Sequence, residues 1–329
     1  MSSLYVTEAG AYIKLRGGHV VIGRNHEVLF EVPLERVEDV TLINTVQISS
    51  YLLTVLMERG IPITWLSNRG KYYGTLINTE SIDILKHRQQ FCLYDKKEFR
   101  LGMARKLVLA KVKNQLTALR RYNRNTDVDI ESQIINIRAI LAHVSQTTEI
   151  DELMGYEGII GRCYFEALGK IVPEEFAFEK RTKRPPKDPF NAMISFGYSL
   201  LFNEILAGVN NAGLHPFIGC LHGLKKGHPA LVSDLIEEWR APIVDSMVLS
   251  IVRRNMIETG CFDITEEGCY LNMEGRRLFL AAYNKKIRSM NQYFDDERSY
   301  RESIFKQCKM YGSAIVNEDI NIYTPLEIY

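Results

Sequence analysis

The sequence predicts an α+β protein: a β-strand-rich N-terminal domain over residues 1–80, followed by a larger all-α C-terminal domain over residues 81–329. Three observations carry this reading. Short runs of β-branched and aromatic residues, separated by turn-forming residues, fill the first eighty positions. From about Ser81 those runs stop and apolar residues recur at helical spacing. With 329 residues, 46% of them hydrophobic and 25% charged, the chain can build two ordinary cores and is not disordered in composition.

The strand candidates are LYV, AYIKL, HVVI, EVLFEV, VEDVTLI, IPITWL and YYGTLI, divided by signals such as Gly17-Gly18 and Gly23-Arg24-Asn25. One helix interrupts them, with Ser49 and Ser50 to cap its start and Gly60 to end it. This domain holds seven Lys/Arg against eight Asp/Glu and no cluster of histidines and acids. Its expected role is structural: a platform and a homodimer interface, because strands outside a closed barrel leave edges that need cover.

The overall charge of +1 conceals local imbalance. No acid lies between Glu98 and Asp127, while Arg100, Arg105, Lys106, Lys111, Lys113, Arg120, Arg121 and Arg124 do. A second basic run, Lys180 to Lys187, precedes a helix that Asp188 caps and Pro189 begins. Doublets recur at Arg253-Arg254, Arg276-Arg277 and Lys285-Lys286. One such run is ordinarily a solvated face; several in one domain point to a polyanion on the surface. Helical spacing puts Arg105, Lys113 and Arg120 on a side that is expected to meet phosphate. No RNP motif or zinc finger is present, so phosphate contact is expected to outweigh base readout.

The chemistry-bearing stretch is Gly213 to Arg240. It places His215, His222 and His228 in a glycine- and proline-punctuated turn region, ahead of a helix that carries Asp234, Glu237 and Glu238. Imidazole plus carboxylate is a ligand set for a divalent cation. A third piece lies at Leu153–Arg162. On a helix, Leu153, Glu157, Ile160, Tyr164 and Leu168 form one stripe, which puts Glu157 in an otherwise apolar seam. Metal ligation and an ion pair with Arg162 or Arg240 both satisfy that placement. Gly155, Gly158 and Gly161 weaken the helix and let a ligand approach.

These residues resemble the CRISPR-associated integrase/endonuclease family, the catalytic subunit of the spacer-acquisition complex. GYEG at 155–158 looks like its glutamate motif, RPPKDPFNAMISFGYSLLFNE at 184–204 its helical core, GLHPFIGCLH at 213–222 its histidine motif, and PALVSDLIEEWRAPIVD at 229–245 its aspartate motif. The resemblance implies a β domain, then an all-helical domain with one metal site. Glu157, His222 and Asp234 would be the catalytic ligands of Mg²⁺ or Mn²⁺, with His215 behind them and His228 a weaker competitor. Tyr156, Lys183, Arg184, Asn191, Lys225, Lys226 and Arg240 would join Arg105, Lys113 and Arg120 on DNA. Leu224, Lys225 and Lys226 stand where the family pattern has an acid and arginines, which changes the contacts expected there.

The resemblance further implies double-stranded DNA as substrate, both spacer precursor and repeat array, attacked by a DNA 3′-hydroxyl in strand transfer or by water in hydrolysis. It implies a homodimer that flanks a small dimeric CRISPR adaptation partner. The competing readings are a stand-alone nuclease for branched DNA, a non-catalytic DNA-binding scaffold, and a metal-dependent small-molecule hydrolase. Six scattered cysteines without a CxxC fit reduced thiols. A start without a signal-peptide pattern, and no apolar run near a membrane span, add the expectation of a cytoplasmic protein that does not engage a membrane.

Overall fold

The computed structural model describes residues 2–79, 82–124, 128–292 and 296–328. The chain divides into two compact units, Met1–Ser81 and Ile82–Tyr329.

In the first unit, alternation of apolar residues produces two four-stranded sheets. One runs in the order β1 (Ser2–Val6), β5 (Val37–Ile43), β7 (Ile63–Leu66) and β8 (Tyr72–Leu76). The other runs β4 (Glu27–Pro33), β3 (His19–Arg24), β2 (Tyr12–Arg16) and the two-residue β6 (Gln47–Ile48). Pairing is parallel for β1/β5, β5/β7 and β2/β6 and antiparallel elsewhere. Helix α1 (Ser50–Glu58) begins where Ser49 Oγ accepts from Leu52 N at 3.3 Å and stops before Gly60 at φ +65°. Leu4, Val6, Ile13, Val20, Val40, Leu42, Leu52 and Leu56 share the core. β4 is a sheet edge and presents Val28, Leu29 and Phe30 in succession, each more than half exposed.

The second unit is largely helical: α2 (Ile84–Asp95), α3 (Lys97–Asn123), α4 (Glu131–Val144), α5 (Ile150–Ile171), α6 (Pro189–Asn211), α7 (Ala230–Trp239), α8 (Ser246–Arg253), α9 (Met273–Ile287) and α10 (Tyr300–Asn317). Two small antiparallel ribbons, Phe262–Thr265 with Gly268–Leu271 and Met290–Asn291 with Arg298–Ser299, qualify the all-α expectation. Helix α6 starts at Asp188, whose side chain accepts from Asn191 N at 2.7 Å, with Pro189 in the first turn. By length and apolarity α6 could cross a membrane, contrary to the sequence expectation. With 67% of that window buried, it is the core helix of this unit.

Helix α3 corrects the sequence reading most. Its 27 residues pack against α2, α4, α5 and α7 and fourteen of them are buried, so only part of the expected phosphate-facing side is open: Lys113, Arg120 and Arg121 are exposed, while Arg105 and Lys106 are half-buried. Its cations reach along their stems to internal acceptors. Arg105 Nη2 donates to Thr147 O at 2.5 Å, Arg100 Nε to Cys220 O at 3.0 Å, and Lys106 Nζ to Ile320 O at 2.7 Å. Lys113 pairs with Glu327 at 2.7 Å, and Arg120 stands exposed at the far end.

The C-terminal tail is tied back over α3 and α7. Asn114 Nδ2 donates to Leu326 O at 2.9 Å and Ile328 N donates to Asn114 Oδ1 at 2.8 Å. Glu238, fully buried, accepts from Tyr323 Oη at 2.7 Å, Leu326 N at 2.6 Å and Gln307 Nε2 at 2.5 Å. Burial pushes its carboxyl up to about 8 against these hydrogen bonds. Glu238 is therefore an anchor of the tail. Glu238→Ala is expected to cost about 2–3 kcal/mol of stability by orphaning buried donors, whereas Glu238→Gln stays near wild type. Urea unfolding of the two variants checks this, and equal losses would refute the anchor.

Candidate active site

The site is built from four segments of the helical unit. The glycine-rich loop 212–229 brings His222, α7 brings Asp234 and Glu237, α5 brings Glu157, and α3 brings Lys111.

Asp234 is fully buried at the first turns of α7 and closes the loop onto that helix. Its Oδ2 accepts from Cys220 N at 2.5 Å and Leu221 N at 2.9 Å, and its Oδ1 from His222 N at 2.9 Å and His222 Nδ1 at 2.7 Å. Three successive backbone N–H groups thus form a concave anion nest around one carboxylate. Gly219 makes this approach feasible: a Cβ there would stand 2.5 Å from Asp234 Oδ2 and 2.8 Å from the Ala230 carbonyl carbon. The imidazole gives its Nδ1–H to Asp234, which leaves Nε2 as the nitrogen that can meet a ligand. Burial alone would lower the His222 pKa; the hydrogen bond to Asp234 and the charges of Asp234 and Glu237 outweigh it and raise it.

Glu237 lies one turn along α7 from Asp234, on the same side. Its Oε2 is 2.6 Å from Lys111 Nζ and its Oε1 is 2.7 Å from Arg240 Nη1. The same Lys111 ammonium hydrogen-bonds Glu157 Oε1. Two glutamates from different helices therefore converge on one cation, whose side chain is 5% exposed. Burial would raise the Glu237 pKa, but Arg240 and then Lys111 outweigh it and hold the carboxyl down at about 2. Glu157 projects from α5 beside Gly155 and Gly158, where an added Cβ would meet nothing within 4 Å. That bare helix surface is consistent with the close approach read from the glycines.

A second layer supports Arg240. Its guanidinium lies 4.7 Å from the Tyr198 ring centre, and Tyr198 Oη donates to Asp245 at 2.7 Å. Tyr164 Oη donates to the same carboxylate at 2.9 Å. Burial pushes Asp245 up to about 6 against these two hydrogen bonds. Arg181 shares the Tyr198 ring, at 5.6 Å, and reaches Ser195 Oγ at 3.0 Å.

Of the residues singled out in the sequence, Glu157 and His222 enter this site. Asp234 enters it with both oxygens engaged by the loop, and the carboxylate paired with Glu157 across Lys111 is Glu237. His215 packs instead on His87 and Phe91, with ring centres at 5.0 and 5.8 Å, and its backbone N donates to Gln90 Oε1 at 2.7 Å. His228 lies edge-on to His222 at 5.8 Å. Asn191 is fully buried, accepts from Arg181 and Thr182 and donates to Lys180 O and Asp188, so it braces the 180–188 loop and does not present itself to DNA. Tyr156 stacks on His143 at 6.0 Å beside Glu157. Lys183, Arg184, Lys225 and Lys226 are exposed. Charge effects tie Lys183 to Arg240, Arg181 and Glu237, and tie Arg184 and Lys225 to His228, so these cations flank the histidine and glutamates.

Sequence reasoning named Glu237 among the acids of the chemistry-bearing stretch and Lys111 within a basic run, but paired neither with Glu157. The available signal was small: Lys111 and Asn114 are polar residues at positions that continue the Leu107–Ala118 stripe of a core helix. Among the described residues, no three His, Cys, Asp or Glu side chains are gathered as a ready ligand cluster. The donor set itself fits a hard divalent cation, since two carboxylates already bracket a positive charge and a carboxylate orients the neighbouring imidazole.

Fold and site together define a class: an α+β protein whose helical unit holds a carboxylate–imidazole–cation cluster. The chain belongs to the Cas1 family: the family profile described as CRISPR associated protein Cas1 matches residues 4–285. It is 32% identical over 319 residues to the CRISPR-associated endonuclease Cas1 3 of Thermus thermophilus, covering 96% of this chain and 94% of that one. Two solved structures share the fold at 22% identity and a TM-score of 0.86. One is a casposase bound to integration product, matched over 97% of this chain and 93% of its own. The other is a Cas6-RT-Cas1–Cas2 complex, in which the match covers 100% of this chain and 36% of the other polypeptide.

Proposed function

We propose that this chain is a metal-dependent DNA endonuclease and integrase of CRISPR adaptation, which joins the 3′-hydroxyl ends of short duplexes into a repeat array by phosphodiester transesterification. The observation that carries the reading is the convergence of Glu157 and Glu237 on one cation, with His222 locked beside them by Asp234. The endonuclease name of the Thermus relative and the integration product held by the casposase support it.

In this proposal Glu157, His222 and Glu237 hold Mg²⁺ or Mn²⁺, and Asp234 orients His222. A bound ion would supply Lewis-acid activation of the phosphodiester and of the attacking oxygen. Arg240 keeps Glu237 ionised and aimed. Lys183, Arg184, Lys225 and Lys226 draw the DNA backbone to the site. No protein nucleophile is assigned: burial pushes the Cys220 thiol up to about 12, and burial together with Asp245 raises the Tyr164 and Tyr198 phenols. The attacking oxygen is then a DNA 3′-hydroxyl, or water in nicking and in cleavage of branched DNA.

The proposal includes a homodimer built through β4, because a sheet edge with three consecutive exposed apolar side chains is the feature of the first unit that a second copy would cover. It also includes a small dimeric partner corresponding to the Cas2 of the complex named above. A cytoplasmic location goes with a DNA substrate and with six cysteines that form no disulfide.

Three outcomes test this. Glu157→Gln, His222→Ala and Glu237→Gln are each expected to abolish joining of a short duplex to a supercoiled repeat plasmid in Mn²⁺. Asp234→Asn should lose 10- to 100-fold, roughly, as orienting partners do; full activity in Glu237→Gln would return the third ligand to Asp234. Replacing Lys183, Arg184, Lys225 and Lys226 with Ala should weaken binding to all duplexes and flatten the salt dependence by about one log–log unit for each phosphate left without its cation. The Arg105/Lys113/Arg120 triple Ala variant should leave that slope unchanged and lower the melting temperature. For the dimer, sedimentation of the full chain with Val28→Ser and Phe30→Lys should give a monomer, and an unaltered dimer would place the interface elsewhere.

A further inference from the structure

Lys111 lies in the interior of a core helix, with its ammonium against Glu157 Oε1 and 2.6 Å from Glu237 Oε2. The electrostatics of this arrangement run both ways. A buried ammonium without anions is costly, and the two carboxylates remove that cost. Without a cation, the buried Glu237 and the half-buried Glu157, both held against one ammonium, would repel each other. Among the described residues, Arg240 forms its ion pair with Glu237, and Lys111 is the ion-pair partner of Glu157. Lys111 is thus the side chain that joins α5 to α7 at this point.

We propose that the Lys111 ammonium and a divalent cation are alternatives for the Glu157–Glu237 pair: the lysine holds the two carboxylates together, and the ion binds by displacing it. This rests on the metal-dependent reading above. Three features favour displacement over coexistence. The ammonium contacts one oxygen of each carboxylate, the atoms that a metal bridging the two acids would need. Glu157, Glu237 and Asp234 carry three negative charges and Arg240 one positive; one divalent ion satisfies the remaining two, so a retained lysine beside it would be in surplus. Finally, a lysine stem is long and flexible enough to withdraw its charge without moving the helix. Affinity for the ion is then set partly by a competing charge built into the chain.

The test measures Mn²⁺ binding by the electron paramagnetic resonance of free Mn²⁺, and thermal unfolding in EDTA and in Mn²⁺. It uses the full chain as wild type, Lys111→Met, Lys111→Gln and Glu157→Gln. Lys111→Met and Lys111→Gln are expected to bind Mn²⁺ roughly tenfold more tightly than wild type, a shift of about 1.4 kcal/mol. They should melt below wild type in EDTA and gain more than wild type from Mn²⁺. Mn²⁺ affinity equal to or weaker than wild type in both lysine variants, with binding lost in Glu157→Gln, would overturn the competition and leave the metal centre standing. Equal Mn²⁺ binding by Glu157→Gln and wild type would remove the metal centre itself, and this inference with it. Failure of both lysine variants to fold with either EDTA or Mn²⁺ would make Lys111 a structural charge that metal cannot replace, which also overturns the proposal.

Discussion

Four hydrogen bonds that converge on the carboxylate of Asp234 hold the rest of the site in place. They stop a loop that has no regular structure of its own from moving relative to α7. They fix the position and the tautomer of His222 in one stroke. They also set the spacing between that imidazole and the next acid, because Glu237 follows Asp234 by one helical turn. Charge-assisted bonds in a dry surrounding are the stronger kind, and Gly219 is the local sacrifice of a side chain that lets the backbone come so close.

Around that anchor the molecule keeps an unusual density of buried charge. Lys111, Glu157, Glu237 and Arg240 form a chain of alternating sign that spans α3, α5, α7 and the segment after it. Replacing such a network by apolar residues is often neutral or stabilising, so its presence is weak evidence for stability and better evidence for chemistry. Two further acids of the same region are treated differently by the fold. Glu238 is held by neutral donors of the tail and rises to about 8, while Glu237, one residue earlier, is held by cations near 2. Adjacent residues of one helix are thus shifted in opposite directions because they face opposite partners.

Much of the architecture was legible. The strands of the first unit announced themselves through alternation and turns, α1 through Ser49 and Gly60, and α6 through Asp188 and Pro189. Glu157 and His222 could be picked from motif and pattern. What was illegible has a common physical cause: full burial erases the face that periodicity reports. All of Ala230–Trp239 is buried, so helical spacing could not rank Asp234 above Glu237 or separate Glu238 from either. Helix α3 is buried over much of its circumference, and Arg100, Arg105, Lys106 and Lys111 look like part of a solvated run until their carbonyl and carboxylate partners are seen. Lys111 was hidden for that reason, since its partners come from α5 and α7 and only its place in the Leu107–Ala118 stripe marks it locally.

Between α7 and α8 the chain winds as a π-helix from Arg240 to Asp245, with Pro242 inside it. A π turn delays the rotation of everything that follows by about one residue's worth, roughly 100°. In an uninterrupted α-helix, Asp245 would fall seven residues beyond Glu238 and share its direction, toward the C-terminal tail. The wider winding turns it instead between Tyr164 and Tyr198, behind Arg240. The segment works as a phase shifter: one continuous rod serves three addresses, the glutamate paired with Lys111, the tail anchor and the tyrosine pair. Loss of a single residue there would leave the helix intact and send the second half of the rod to the wrong neighbours.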